Sequence, residues 1–129
     1  IASGGELSRF LLALKVCLTH DQKGVSLVFD EIDRGIGGAT ADAVGRRLLK
    51  LAEKDAQVLV VTHSPQVAAL AERHFVVSKG IEDGKTLSRV KQIKGRDCVE
   101  EIARMISGDR ITDEARDASR VLISGASNA

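Results

Sequence analysis

Two adjacent carboxylates, Asp30 and Glu31, close the short apolar run Val25-Ser26-Leu27-Val28-Phe29. A carboxylate pair at the carboxyl end of an apolar strand suits magnesium chemistry. A hard cation takes carboxylate oxygen directly or through water, and the neighbouring carboxylate can orient or deprotonate an attacking water. Open α/β sheets bind ligands at that end of their strands. Taken alone, the same residues fit a polar loop after a strand equally well.

Two further groups could serve phosphate chemistry. Ser3-Gly4-Gly5-Glu6 offers a hydroxyl and exposed backbone N–H groups at a helix start, where the helix dipole favours anions and glycine permits close approach. An ordinary helix cap is the simpler reading of that string. His63 follows a second apolar run, Val58-Leu59-Val60-Val61, and precedes Ser64-Pro65. Its imidazole could hydrogen-bond a phosphate near the Asp30 edge of a sheet. His20 and His74 lack such placement and are read as structural or surface residues.

The elements that must position these groups are legible as patterns. Leu7, Phe10, Leu11, Leu14, Cys17 and Leu18 repeat at helical spacing directly after Ser3-Gly4-Gly5. The runs ending at Asp30 and at Thr62-His63 read as buried strands. Between them, Gly35-Ile36-Gly37-Gly38 leads to Thr40, read as the N-cap of a helix whose face includes Ala41, Val44, Leu48, Leu51 and Ala52. Ser64 suits an N-cap and Pro65 the first helical position. Strand, polar loop and helix thus occur twice, which implies an α/β fold with a mainly parallel sheet, right-handed crossovers and flanking helices. Phe75 to Ser78 and Leu87 to Ile93 flank Gly80 to Gly84 and predict an additional hairpin. Asp97 with Glu100 reads as a capping box for a helix through Ile102, Ala103 and Ile106, and Thr112 with Asp113 and Glu114 starts another through Val121. Ser124 to Ala129 reads as a frayed tail.

Composition narrows the classes. The 129 residues, 43% of them hydrophobic, fit one compact domain at most. The net charge of +1 selects no partner, and three phenylalanines are too few for base-stacking platforms. Any nucleic-acid contact would then rest on backbone electrostatics. Lys79, Lys85, Arg89, Lys91, Lys94 and Arg96 form a locally basic stretch; a charged edge strand explains it more simply than a DNA surface. Cys17 and Cys98 show neither CxxC spacing nor a histidine neighbour, so no structural metal or disulfide framework is expected. With no initiator Met, leader or long apolar run in the sequence, the expectation is a cytoplasmic fragment of something longer, with no membrane contact.

The order of these features is more specific than any one of them, and it resembles the ABC ATPase superfamily. In that resemblance Ala2-Ser3-Gly4-Gly5-Glu6-Leu7-Ser8-Arg9 is the signature motif, Leu27-Val28-Phe29-Asp30-Glu31 the Walker B strand and His63 the switch histidine. Longer strings are similar to the RecN family of bacterial DNA-repair proteins: Phe29-Asp30-Glu31-Ile32-Asp33 with Gly35-Ile36-Gly37-Gly38, Val61-Thr62-His63-Ser64-Pro65-Gln66-Val67-Ala68, Glu101-Ile102-Ala103-Arg104-Met105 and Ile111-Thr112-Asp113-Glu114-Ala115-Arg116. Transporter and chromosome-organising relatives usually carry an Ala-Leu-Asp D-loop where this chain has Ile36-Gly37, which sets it apart from them.

The resemblance implies that residues 1–129 are the C-terminal half of an ABC-type P-loop ATPase head. It implies ATP and Mg2+ as ligands, Asp30 holding magnesium through water, and Glu31 polarising the hydrolytic water. It also has His63 contacting the γ-phosphate, while Ser3, Gly4, Gly5 and Glu6 close in trans over ATP bound to a second head. The partners it implies are the N-terminal half of the same head, a second head in an ATP-dependent homodimer, and DNA. No G-x-x-x-x-G-K-[ST] string occurs in the sequence, so the Walker A loop and the coiled coil are expected elsewhere, and the chain alone is expected to be inactive. Three other readings stand beside this one: a non-catalytic docking and dimerisation module, another ABC- or SMC-type ATPase head, and a magnesium-dependent phosphotransfer domain using Asp30, Glu31 and Asp33.

Overall fold

The structure, a computed structural model, describes residues 24–127 together with Glu6 and Ala13. The helical stripe expected over residues 7–18 therefore lies outside the described residues, although Glu6 and Ala13 are each helical. Strand β1 (Ser26–Asp30) pairs in parallel with β2 (Gln57–Val61), joined through helix α1 (Gly38–Ala52). A short helix α2 (Pro65–Ala68) leads to an antiparallel hairpin of β3 (His74–Glu82) and β4 (Lys85–Ile93). Helices α3 (Arg96–Ser107) and α4 (Asp113–Ser127) follow.

Alternation along the parallel pair sends Leu27, Phe29, Val58 and Val60 towards α1. Phe29 is 1% exposed and forms a core with Val44, Leu48 and Leu51, and Ile32 and Ile36 seal it at the site end. Burying Phe29 contributes about 1.5–3 kcal/mol. Ala52, expected on the buried face, is exposed. The opposite sheet face carries Val28, Leu59 and Val61, all exposed. Both runs read as fully buried strands in the sequence, but a single crossover helix covers only one face of a two-stranded pair.

Caps and turns correct several boundaries. The first residue of α1 is Gly38 and its N-cap is Gly37, so Thr40 lies inside the first turn, its N–H donating to the Gly37 carbonyl at 3.0 Å. Asp97 is likewise inside α3, whose N-cap is Gly95 at φ 55° with no side-chain cap, so the expected capping box is not formed. Its carboxylate still lies in the first turn, where the dipole favours it. Ser64 does cap α2, accepting from the Val67 N–H at 3.4 Å, with Pro65 next in line. Thr112 accepts the Ala115 N–H at 3.1 Å, and α4 continues to Ser127 through most of the segment read as a tail. The hairpin turn is Asp83-Gly84, both at positive φ between paired Glu82 and Lys85, the geometry of a two-residue type I′ connection. The strands are consequently longer than the apolar runs that announced them.

Helices α3 and α4 pack on each other through Ile102, Ala103, Ala115 and Ser119, whose hydroxyl donates to the Val99 carbonyl at 2.8 Å. Arg116 joins the two helices, donating to Glu100 at 2.8 Å and to Asp113 at 2.9 Å. Those carboxylates raise its pKa. Cys98 is buried in α3, and burial, with the charge of Asp97 adding to it, pushes its thiol pKa up, so it is a poor nucleophile.

Gly45 fixes how closely α1 approaches α2. A Cβ there would stand 2.5 Å from Leu70 Cδ1 and 3.4 Å from Val67 Cα. Gly45→Leu is expected to lower stability by about 1–3 kcal/mol through overpacking. Gly45→Ala stays near neutral, because a helix-propensity gain of about 1 kcal/mol offsets the displacement of a flexible leucine end. Urea unfolding of the two variants checks this; a leucine variant as stable as the parent would contradict it.

Candidate functional site

Parallel pairing decides which groups meet. Register aligns Asp30 with Val61, so both strands end at the same level, and the residues after them, Glu31 and Thr62-His63, emerge side by side. The Glu31 N–H donates to the Val61 carbonyl at 3.0 Å, extending the ladder one residue beyond the strand. Asp30, Glu31 and His63 are exposed at this edge. The Glu31 side chain is 47% exposed and that of His63 89% exposed, with His63 Nε2 3.9 Å from Glu31 Oε1. Arg34 Nη1 lies 3.6 Å from the other Glu31 oxygen.

Glu31 adopts φ 50°, the left-handed region that non-glycine residues rarely occupy. The turn that follows is closed by Arg34 N–H to the Glu31 carbonyl at 3.1 Å and Ile36 N–H to the Asp33 carbonyl at 3.2 Å. Backbone strain of this kind persists where the surroundings over-determine it, and it is found at functional positions. The strand-to-loop reversal swings the Glu31 side chain away from the β1 direction and towards the end of β2.

Asp33 is 8% exposed. One carboxylate oxygen accepts the Thr62 hydroxyl and also the Ser64 N–H at 3.0 Å. The Thr62 oxygen accepts the same amide at 2.9 Å. Asp33 is therefore engaged with the loop after β2 through that oxygen. That weighs against the phosphotransfer reading built on three carboxylates, and among the described residues no group of three or more potential metal ligands gathers. Sequence reading missed this role of Asp33. The available signal was a hydroxyl and a capping serine on either side of His63, partners that an acid after the first strand can reach only in a parallel pair.

Ser3, Gly4 and Gly5 lie outside the described residues; Glu6 is helical and exposed. The structure thus brings Asp30, Glu31 and His63 together and does not describe the signature group. A magnesium ion fits the chemistry of this edge, since that ion keeps several waters and uses one or two carboxylates together with substrate phosphate. His74, read as structural, has Nε2 3.0 Å from the Ala71 carbonyl. The basic residues of the hairpin divide by register: Lys85, Arg89 and Lys91 share one face, where Arg89 pairs with Glu82, and Lys79 is on the other with Phe75, Val77, Ile81 and Val90. Those four apolar side chains are all exposed.

No protein-family model matches the chain. A DNA repair protein RecN of Deinococcus radiodurans is 50% identical over 125 residues, covering 97% of this chain and 22% of that protein. The chain is homologous to a C-terminal segment of RecN. RecN of Mycobacterium leprae is 49% identical over 97% of the chain, and that of Bacillus subtilis 42% identical over 95%; each is matched over 21% of its own length. The chain thus spans about a fifth of the length of the RecN proteins it matches. Among solved structures, one reported for the ATP-driven dimerization and DNA-stimulated activation of SMC ATPases superposes with a TM-score of 0.56 at 23% identity, over 84% of this chain and 64% of that one. The RecN-like chain therefore shares the α/β fold of part of that structure, as its strand and helix pattern implies. No helix among the described residues is long and apolar enough to cross a membrane.

The conformation of Glu31 generates a stability test. An L-residue pays about 1–2 kcal/mol in the left-handed region, and a β-branched one fits it worst. Glu31→Val is expected to be less stable than Glu31→Gly by at least about 1 kcal/mol, measured by chemical denaturation. Equal stability of the two would show that Glu31 is not held at positive φ.

Proposed function

We propose that this chain supplies the hydrolytic edge of an ATP site in a RecN-like DNA-repair ATPase. The observation that carries the reading is the parallel register that sets Asp30 and Glu31 beside His63 at one end of the sheet. Asp30 would hold magnesium through water. When bound, that ion would neutralise phosphate charge and help fix the nucleotide. Glu31, with a free path to solvent, would orient and polarise the hydrolytic water. The exposed His63 would donate a hydrogen bond to the γ-phosphate, where negative charge must be stabilised in the transition state.

The remaining parts of the site belong elsewhere. Ser3, Gly4, Gly5 and Glu6 would act in trans on ATP bound to a second head, which makes ATP the ligand that joins two heads. The phosphate cradle would come from the N-terminal half of the same head, consistent with the missing G-x-x-x-x-G-K-[ST] string. Two exposed apolar surfaces support a covering partner: Val28, Leu59 and Val61 on the parallel pair, and Phe75, Val77, Ile81 and Val90 on the hairpin. DNA would be engaged by the complete protein.

In the complete protein, Glu31→Gln is expected to lower steady-state ATP hydrolysis by at least about 100-fold while nucleotide binding persists, because only the water-polarising carboxylate is lost. Nucleotide binding and turnover measured side by side check this. Unchanged hydrolysis would remove Glu31 from the catalytic role.

A further inference from the structure

The two groups assigned to hydrolysis sit on separate loops, and their side chains make only long, solvent-exposed contacts, His63 to Glu31 at 3.9 Å and Arg34 to Glu31 at 3.6 Å. His63 is almost fully exposed and Glu31 about half exposed, so no packing fixes their separation. Beyond the Glu31 N–H bond to the Val61 carbonyl, the residues on either side of His63 are tied to the loop after β1 by the Asp33 carboxylate. It takes the hydroxyl of the residue before His63 and the backbone N–H of the residue after it. His63 is the middle of a three-residue span pinned at both ends.

Asp33 is itself fixed on the Glu31 side. Its carbonyl accepts the Ile36 N–H, and the turn is closed by Arg34 N–H to the Glu31 carbonyl. On the other side Ser64 uses its hydroxyl to accept the Val67 N–H at the start of α2, so the clamp is continuous with a packed helix whose Val67 is buried. Hydrogen bonds to an ionised acceptor are shorter and about twice as strong as neutral ones, and in a buried setting their loss leaves a carboxylate without compensation.

We propose that Asp33 is a positioning residue, whose buried carboxylate sets the place of His63 relative to Glu31 by gripping Thr62 and Ser64. The inference rests on the hydrolytic reading of that edge. Asp33 touches neither nucleotide nor water in this role; it acts through His63. Binding of ATP, which rests mainly on the phosphate cradle contributed by another segment, depends little on it. The rate of the chemical step depends strongly on it, since displacement of a catalytic group by about 1 Å can cost about 100-fold.

The test uses the complete protein and five variants: Glu31→Gln, His63→Ala, Asp33→Ala, Thr62→Val and Thr62→Ser. Asp33→Ala and Thr62→Val are expected to lower kcat by about 10- to 100-fold, with KM for ATP changed by less than about threefold. Thr62→Ser, which keeps the hydroxyl, is expected to recover most of the kcat that Thr62→Val loses. Asp33→Ala placed on His63→Ala is expected to add little further loss, because residues acting through one another are non-additive. A double variant whose losses multiply would overturn the inference, as would Thr62→Val retaining full kcat. Should Asp33→Ala fail to fold, the threonine pair and its double with His63→Ala decide the matter by the same criteria. Hydrolysis indifferent to Glu31→Gln would instead remove the reading underneath, and the inference with it.

Discussion

Everything proposed for this chain depends on one alignment: β1 lies parallel to β2 with Asp30 opposite Val61. Side chains alternate along a strand, so a slip of one residue would turn Phe29 out of the core and put Val28 in its place. The same slip would move Glu31 away from Thr62-His63. Burial of Phe29 against Val44, Leu48 and Leu51 therefore specifies the site as well as the core. The amide of Glu31 and the carboxylate of Asp33 then carry that alignment past the strand ends into the two loops.

Much of this was legible in the sequence. Alternating strand and helix patterns, the Asp30-Glu31 terminus and Ser64-Pro65 each named an element or a cap that the structure contains. The RecN-like strings named the lineage that the homologues share. The misses have physical causes. Thr40 and Asp97 are good N-cap types, yet Gly37, three residues before the first, and Gly95, two before the second, let each helix begin sooner. Asp83-Gly84 supplied the positive φ values for a tight turn, so β3 ran past Gly80 to Glu82 and β4 began directly after Gly84, at Lys85. Asp33 entered the sequence reading only as a third carboxylate of the phosphotransfer alternative, because an acid near two other acids looks alike in sequence whether it faces solvent or a hydroxyl about thirty residues on. Only the parallel register distinguishes the two.

The exposed surfaces follow from the same architecture. Among the described residues, the two-stranded pair is covered on one face by its crossover helix, and the hairpin has an apolar face that stays exposed. Residues such as Val28 and Val77 are then costly in water until a further element covers them. An ATP site shared between a segment that supplies carboxylates and a histidine, and another that supplies the phosphate cradle, has the matching chemical logic. Under the proposed function neither segment would offer a complete set of charge-stabilising groups, so hydrolysis would wait on their assembly.

The central claim, that this chain is the hydrolytic part of a composite ATP site, is tested most directly by mixing it with a separately produced segment that carries the phosphate-binding loop and measuring magnesium-dependent ATP hydrolysis. The account expects hydrolysis only with both segments present, and its loss when Glu31→Gln is introduced here. Inactivity of a complex shown to have formed, or hydrolysis by the mixture that ignores Glu31→Gln, would contradict it.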